Sequence, residues 1–307
     1  MRPFMIVLGM LAGMSIGIPA LAQYAQNATE PQHTQGPARI PVRDQAAIDL
    51  PSGFVFLPES SGKQLMEKMG NRVDNNFVGL IFPEKNSDWF VIVEYEPAGH
   101  ISDDDAKNWN ADDLLRQVRT STDVVNEERH KEGKPELELV GWAERPHYDA
   151  ATRRLIWSLE AREKGQTDDS KNIVNYKTLM LGREGYVSMT MVSPLATVGT
   201  DKAFVNLLLS KLDFTQGRKY ADFDAKTDHI AEYGLAALIA GVAVKKLGLI
   251  AVGTALVLKF AKVILLAVVG GLAAFRRIFR RKPVAPEFSQ ALPPTMAGEP
   301  PRIGPQS

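Results

Sequence analysis

The sequence predicts an α+β fold, an antiparallel β-sheet with packed helices, followed by a C-terminal transmembrane helix. Three observations predict it. Four segments rich in β-branched and aromatic residues follow one another between 137 and 193, joined by short polar turns, which is the spacing of an antiparallel meander. Two stretches, 110–133 and 200–214, carry apolar residues at helical intervals. Finally, Leu247 to Phe275 is a 29-residue apolar run, about 43 Å long as a helix and enough to cross a hydrocarbon core of about 30 Å.

The N-terminus has the layout of a secretory signal peptide over residues 1–22. Arg2 precedes an apolar core from Phe4 to Ile18, and Ala20-Leu21-Ala22 supplies the small-residue cleavage pattern. Residues 23–45 read as a flexible leader. There is no cysteine, so disulfides and a cysteine-linked lipid anchor are excluded, and the exported region must hold together by an apolar core. Residues 46–223 are long enough to supply one.

Within that region "GFVFLP" (53–58) and "NNFVGLIFPE" (75–84) read as strands around a short helix at 61–69, and "DWFVIVEYEP" (88–97) as the strongest strand. Asn110 is placed to cap the next helix, with Asp112 and Asp113 favouring its first turn, Leu114, Leu115, Val118 and Val125 forming its buried stripe, and Gly133 ending it. The meander strands are 137–144, 153–161, 172–181 and 185–193. The closing helix (200–214) is expected to pack Phe204, Leu208 and Leu212 on the sheet.

The net charge of zero conceals a partition. Residues 23–230 hold 25 Lys+Arg against 33 Asp+Glu, while residues 231–307 hold 10 against 3. An acidic folded region argues against a nucleic-acid partner, and the basic end points to a lipid bilayer. After a juxtamembrane helical segment (224–246) comes the expected span (247–275). It is followed at once by Arg276, Arg277, Arg280, Arg281 and Lys282, a stop-transfer cluster that stays cytoplasmic. The tail through 307 is Pro-rich and expected to be disordered. One span with this orientation is favoured over a hairpin, which would place the arginines outside.

Lys245, Lys259 and Lys262 fall on one side of a helix, together with Gly234, Gly241 and Gly248. Each lysine near the middle of a span costs about 2.5–3.5 kcal/mol, so this stripe is expected to face another helix or a wet surface. Lysines marking the boundaries of shorter apolar pieces are the competing reading.

The runs "PHYDAATRRLIWSLEA", "VNYKTLMLGREGYVSM" and "DHIAEYGLAALIAG" resemble a bacterial family of membrane-anchored proteins known only as a domain of unknown function, number 2167. The likeness covers roughly 45–282. It implies an exported protein fixed in the inner membrane and carries no activity and no catalytic residues.

Motifs for chemistry are sparse. The five histidines (33, 100, 130, 147, 229) are scattered without a zinc spacing. "HISDDDAKNW" places Asp103, Asp104 and Asp105 after His100, without the alternation or glycine of a calcium loop, and reads as capping and solvation. His147 precedes Asp149 by two residues, but no GxSxG nucleophile accompanies them, and Asp149 suits a turn. Gly182 and Gly185 flank a hairpin with no phosphate-loop lysine, and Trp89, Trp109, Trp142 and Trp157 read as core. No catalytic residue, cofactor or metal is expected. The favoured reading is a non-enzymatic, membrane-anchored periplasmic module that meets another envelope protein or itself. A small-molecule binder or enzyme with a site between sheet and helices, built on His100, Asp103, His147 or Asp149, is the first alternative. An oligomeric helix bundle lined by Lys259 and Lys262 is the second.

Overall fold

The strands at 77–83, 90–96, 173–181 and 186–194 have side chains buried on both sides, a pattern that requires a sheet covered on each face. The computed structural model, which describes residues 32–85 and 87–241, has that arrangement. In chain order the strands are β1 (Thr34–Gln35), β2 (Ala38–Val42), β3 (Ala46–Leu50), β4 (Phe54–Pro58), β5 (Phe77–Pro83), β6 (Phe90–Glu96), β7 (Leu137–Asp149), β8 (Arg154–Glu163), β9 (Ile173–Leu181), β10 (Tyr186–Pro194) and β11 (Leu212–Phe214). The helices are α1 (Glu59–Lys68), α2 (Ala111–Lys131), α3 (Val198–Ser210) and α4 (Leu235–Ala240).

The large sheet has eight strands in the order β1-β4-β5-β6-β10-β9-β8-β7, all antiparallel. A second sheet, β11-β3-β2, lies against one face of it. Alternation divides the side chains cleanly. From β6 and β10, Phe90, Ile92, Tyr186 and Val192 enter the core beneath α1, α2 and α4. Val91, Val93, Val187, Met189 and Met191 enter the core beneath α3 and the small sheet. The α+β class with a large antiparallel sheet and few helices is therefore as expected.

Local chemistry explains the boundaries. Asn110 caps α2, its Oδ1 accepting from the Asp112 and Asp113 amides at 2.8 and 3.2 Å, which contributes about 1 kcal/mol. Leu114, Val118 and Val125 are buried beneath it, as the stripe requires. At the end of β7, Asp149 organises the turn by accepting from the Ala151 amide at 2.9 Å and the Thr152 hydroxyl at 2.6 Å.

Four expectations need correction. The leader expected over 23–45 contributes β1 and β2. Ile40 and Val42 are buried against β3, so these residues belong to the fold. The closing helix stops at Ser210, and Leu212 lies in β11, paired with Ile48 of β3. Phe204 is 45 % exposed, because Val205, Leu208 and Leu209 form the inward stripe of α3. The meander's first strand runs on through "RPHYD", with register shifts between Leu139 and Gly141, Trp142 and Glu144, and Glu144 and His147.

The segment expected to be helical over 224–246 is helical in its described part only at α4. Leu235, Leu238, Ile239 and Ala240 are buried in the same core as α2, and Gly241 adopts φ +63° at the end of α4. Among the described residues no helix is long and apolar enough to cross a membrane. The expected signal peptide, the expected span at 247–275 and the expected stop-transfer cluster lie outside them.

Candidate functional site

Two constellations of polar side chains stand out. The first is a strap: residues 215–234 cross the molecule from β11 to α4 and are fastened at successive points. The Thr215 amide donates to Gln45 O at 2.9 Å. Arg218 pairs with Asp44 at 3.0 Å and with Glu184. Arg183 clamps Asp228 through two bonds of 2.7 and 2.8 Å, holding that carboxyl far below its ordinary range. His100 forms a short parallel bridge with Ile230, its amide donating to His229 O and its carbonyl accepting from the Ala231 amide, both at 2.8 Å. Gly99, at φ +85°, is needed there because a Cβ would lie 2.3 Å from His229 Nδ1.

The acidic run after His100 secures the same strap. Asp103 accepts from the Tyr148 hydroxyl at 2.8 Å, Arg153 Nη1 at 2.6 Å and the Tyr220 hydroxyl at 3.3 Å. Burial works against its ionised form, but these hydrogen bonds and the Arg153 charge outweigh it, so the carboxyl titrates below its ordinary value. Asp104 accepts from Ser102 Oγ at 2.7 Å. Asp105 reaches a different element, accepting from the Leu235 and Ala236 amides at the start of α4, both at 3.0 Å. A short 3-10 turn does follow, Asp104–Lys107, with Ser102 Oγ accepting from the Asp104 amide at 3.2 Å, but the helix that Asp105 caps lies 130 residues away. The His100 ring stacks on Phe223 (3.8 Å between centroids) and tilts against Tyr220 (4.3 Å). Burial lowers its pKa, partly offset by a hydrogen bond with the Arg183 backbone.

The second constellation lies between the sheet and the helices, the region the first alternative named, but it is built on none of the residues expected there. On the face of β6, β10 and β9 that looks toward α1, α2 and α4, the apolar pattern gives way to Glu94, Ser188, Thr190, Asn175 and Lys177, all buried. Register sets Ser188 opposite Glu94, and its hydroxyl donates to Glu94 Oε2 at 3.2 Å. Thr190 sits between Ile92 and Lys177 on its two neighbouring strands, with Trp157 of β8 beyond Lys177. Burial pushes the Glu94 carboxyl up, opposed by Lys177 and reinforced by Asp74. Burial pushes the Lys177 ammonium down, opposed by Glu94, Asp74 and Glu96. Tyr186, 1 % exposed, titrates well above its ordinary value through burial and then through Tyr233, Glu96, Glu94 and Asp74. Tyr186 Oη and Thr190 Oγ1 have no hydrogen-bond partner among the described residues. Toward solvent, Asn76 joins the two outer acids: its amide donates to Asp74 Oδ1 at 2.8 Å and its side chain to Glu96.

The residues singled out from sequence are dispersed. His100 and Asp103 meet in the strap, while His147 is 51 % exposed and faces Glu144 at 3.6 Å, and Asp149 serves its turn. Trp89 and Trp157 are buried and Trp109 and Trp142 partly so, in line with packing roles. Gly234 precedes α4 directly against Asp105, where a Cβ would lie 2.6 Å from Oδ2, and Gly241 ends the same helix. Gly248, Lys245, Lys259 and Lys262 lie outside the described residues. Among the described residues no cluster of His, Asp or Glu is placed to hold a metal ion.

No curated protein matches the chain. Among solved structures, cyanobacterial PsbP (CyanoP) from Synechocystis sp. PCC 6803 matches 60 % of this chain and 92 % of its own, at 12 % identity and a TM-score of 0.35. The Ran-binding protein Mog1p of Saccharomyces cerevisiae matches 64 % of this chain and 100 % of its own, at 12 % identity and a TM-score of 0.30. Residues 34–270 match the family described as "Protein of unknown function (DUF2167)", a stretch that takes in the described fold from β1 to α4, and the chain belongs to that family.

Proposed function

We propose that the protein is a non-enzymatic module of the bacterial inner membrane, exported by residues 1–22, held by one span at 247–275, and presenting its α+β domain on the periplasmic side. The observation that carries this reading is the strap. A series of ion pairs and backbone bonds fixes residues 215–241 to the domain, so the domain is fastened to the segment that leads into the apolar run. The charge partition supports the orientation, with the acidic domain before the run and five basic residues directly after it. The non-enzymatic part rests on the partners that His147 and Asp149 have among the described residues, Glu144 for the one and its own turn for the other, rather than His100 or Asp103. Its partner on this reading is another envelope protein or a second copy of the chain.

Reporter fusions test the topology. Alkaline phosphatase should be active after Asp224, and a fluorescent protein should be bright only after Lys282. Phosphatase activity after Lys282 would overturn the single span. Hydrolysis of any common ester, phosphate or peptide substrate by the purified chain would overturn the non-enzymatic assignment.

A further inference from the structure

We propose that the domain rests directly on the lipid surface through the second half of α2, with Val124 and Lys131 among the residues that meet the headgroups. This deepens the anchored reading and rests on it.

Covalent reach sets the distance. The sequence places only residues 242–246 between Gly241 and Leu247, where the apolar run begins. That length of chain covers at most about 20 Å when extended and about 9 Å as a helix. The headgroup layer takes up about 6 Å of it, so Gly241 stands no more than about 14 Å above the lipid surface. α4 fixes what surrounds that point. It starts on Asp105, just ahead of α2, and ends beside the middle of α2, where Ser121 Oγ donates to Ala240 O at 3.2 Å. From Ser121, α2 continues to Lys131, about 15 Å at 1.5 Å per residue. Half of α2 is thus as long as the whole clearance, and the helix beside which the chain leaves is the element brought against the bilayer. Charge selects which half. Residues 102–113 hold five aspartates and one lysine, which an anionic lipid surface repels. Residues 124–134 hold Arg129, Lys131 and Lys134 against Glu127, Glu128 and Glu132, and Arg72 pairs with Glu132 at 2.7 Å. The same half presents Val124, an apolar side chain 53 % exposed and one turn beyond Ser121.

The chain has no cysteine, so one introduced cysteine places a dye at a single position. Full-length Val124→Cys, Lys131→Cys, Asp112→Cys and Leu207→Cys all alter exposed side chains. Asp112 marks the acidic start of α2, and Leu207 lies on α3, across the large sheet. Each variant carries an environment-sensitive dye and is reconstituted in vesicles of phosphatidylcholine and phosphatidylglycerol, with or without a lipid bearing a nitroxide on its headgroup. The nitroxide should quench the dyes at 124 and 131 several-fold more than those at 112 and 207. Equal quenching at all four positions, or stronger quenching at 112 or 207, would overturn the placement. A dye at 124 that is shielded from water yet unquenched would also overturn it, since a second copy or another protein would then cover α2. Carbonate extraction of the same vesicles separates this surface from the anchor. A chain that stays with the lipid but lacks the quenching pattern keeps its anchor and loses the surface, whereas a chain released by carbonate refutes the anchor and the surface with it.

Discussion

Replacing Asp105 with alanine isolates the attachment of α4. Its two oxygens accept from the Leu235 and Ala236 amides, each at 3.0 Å, in partly buried surroundings. Loss of a capping side chain costs about 0.5–2 kcal/mol, and loss of a negative charge beside a helix N-terminus about 0.3–1 kcal/mol more. A value near 2 kcal/mol follows, at the upper part of the first range because both oxygens are engaged. If α4 opens locally, that energy appears as amide exchange about 30-fold faster in residues 235–240. Hydrogen exchange followed by mass spectrometry measures it directly. Asp105→Asn, which keeps one acceptor and loses the charge, should give roughly half the free-energy effect. Gly234→Ala should accelerate the same peptides, since its Cβ would lie 2.6 Å from the carboxylate. Acceleration of less than about threefold, or equal acceleration in β9 and β10, would refute the local role given to Asp105.

Three further outcomes follow from the packing. His100 titrates below its ordinary value in the fold because it is buried. The unfolded chain therefore binds the proton first, and the contribution of neutral His100 is complete above about pH 6.5 and declines as pH falls toward the lower folded value. Thermal midpoints between pH 7.5 and 5 should show that slope, and His100→Gln should flatten it. Leu208→Ala should cost about 3 kcal/mol in urea unfolding, against about 1 kcal/mol for Phe204→Ala, whose half-exposed ring chiefly loses its stack on Trp89. Equal costs would mean that the inward face of α3 is wrongly assigned. A chain ending after Ile230 lacks Leu235, Leu238 and Ile239, so it should unfold at a markedly lower temperature than one ending after Gly241. Identical midpoints would show that α4 adds nothing to the core.

The central strands and α2 were legible because their signals are local. A run such as "FVIVEYE" favours an extended chain wherever it sits, and Asn110 followed by two aspartates marks a helix start without reference to anything distant. What escaped depends on partners far along the chain. β2 contains Pro41 and follows a polar stretch, and its strand character comes from pairing with β3, which in turn pairs with β11. α3 was read with the wrong inward residue because Phe204 and Val205 both fit a helical stripe, and only the placement of the small sheet selects between them. Glu94, Lys177, Ser188 and Thr190 alternate with apolar residues, and that alternation ordinarily marks a solvent face. Only the helices laid over them turn the same pattern into a buried polar row. The strap was invisible for a similar reason: nothing in "SDDDAK" indicates that its acids serve Tyr148, Arg153 and a helix 130 residues later.

The edges of the large sheet carry a consequence for recognition. At one end β1 offers two residues, and at the other β7 breaks its ladder at three register shifts and contains Pro146. An incoming strand needs an unbroken row of backbone donors and acceptors to add to a sheet. Neither border of the large sheet provides one, so that sheet is a poor template for a second copy or an extended peptide to add a strand. A partner that meets the large sheet must read it through loops, helices and side chains rather than through its border strands, and a chain crowded beside its own copies is protected from polymerising along that sheet.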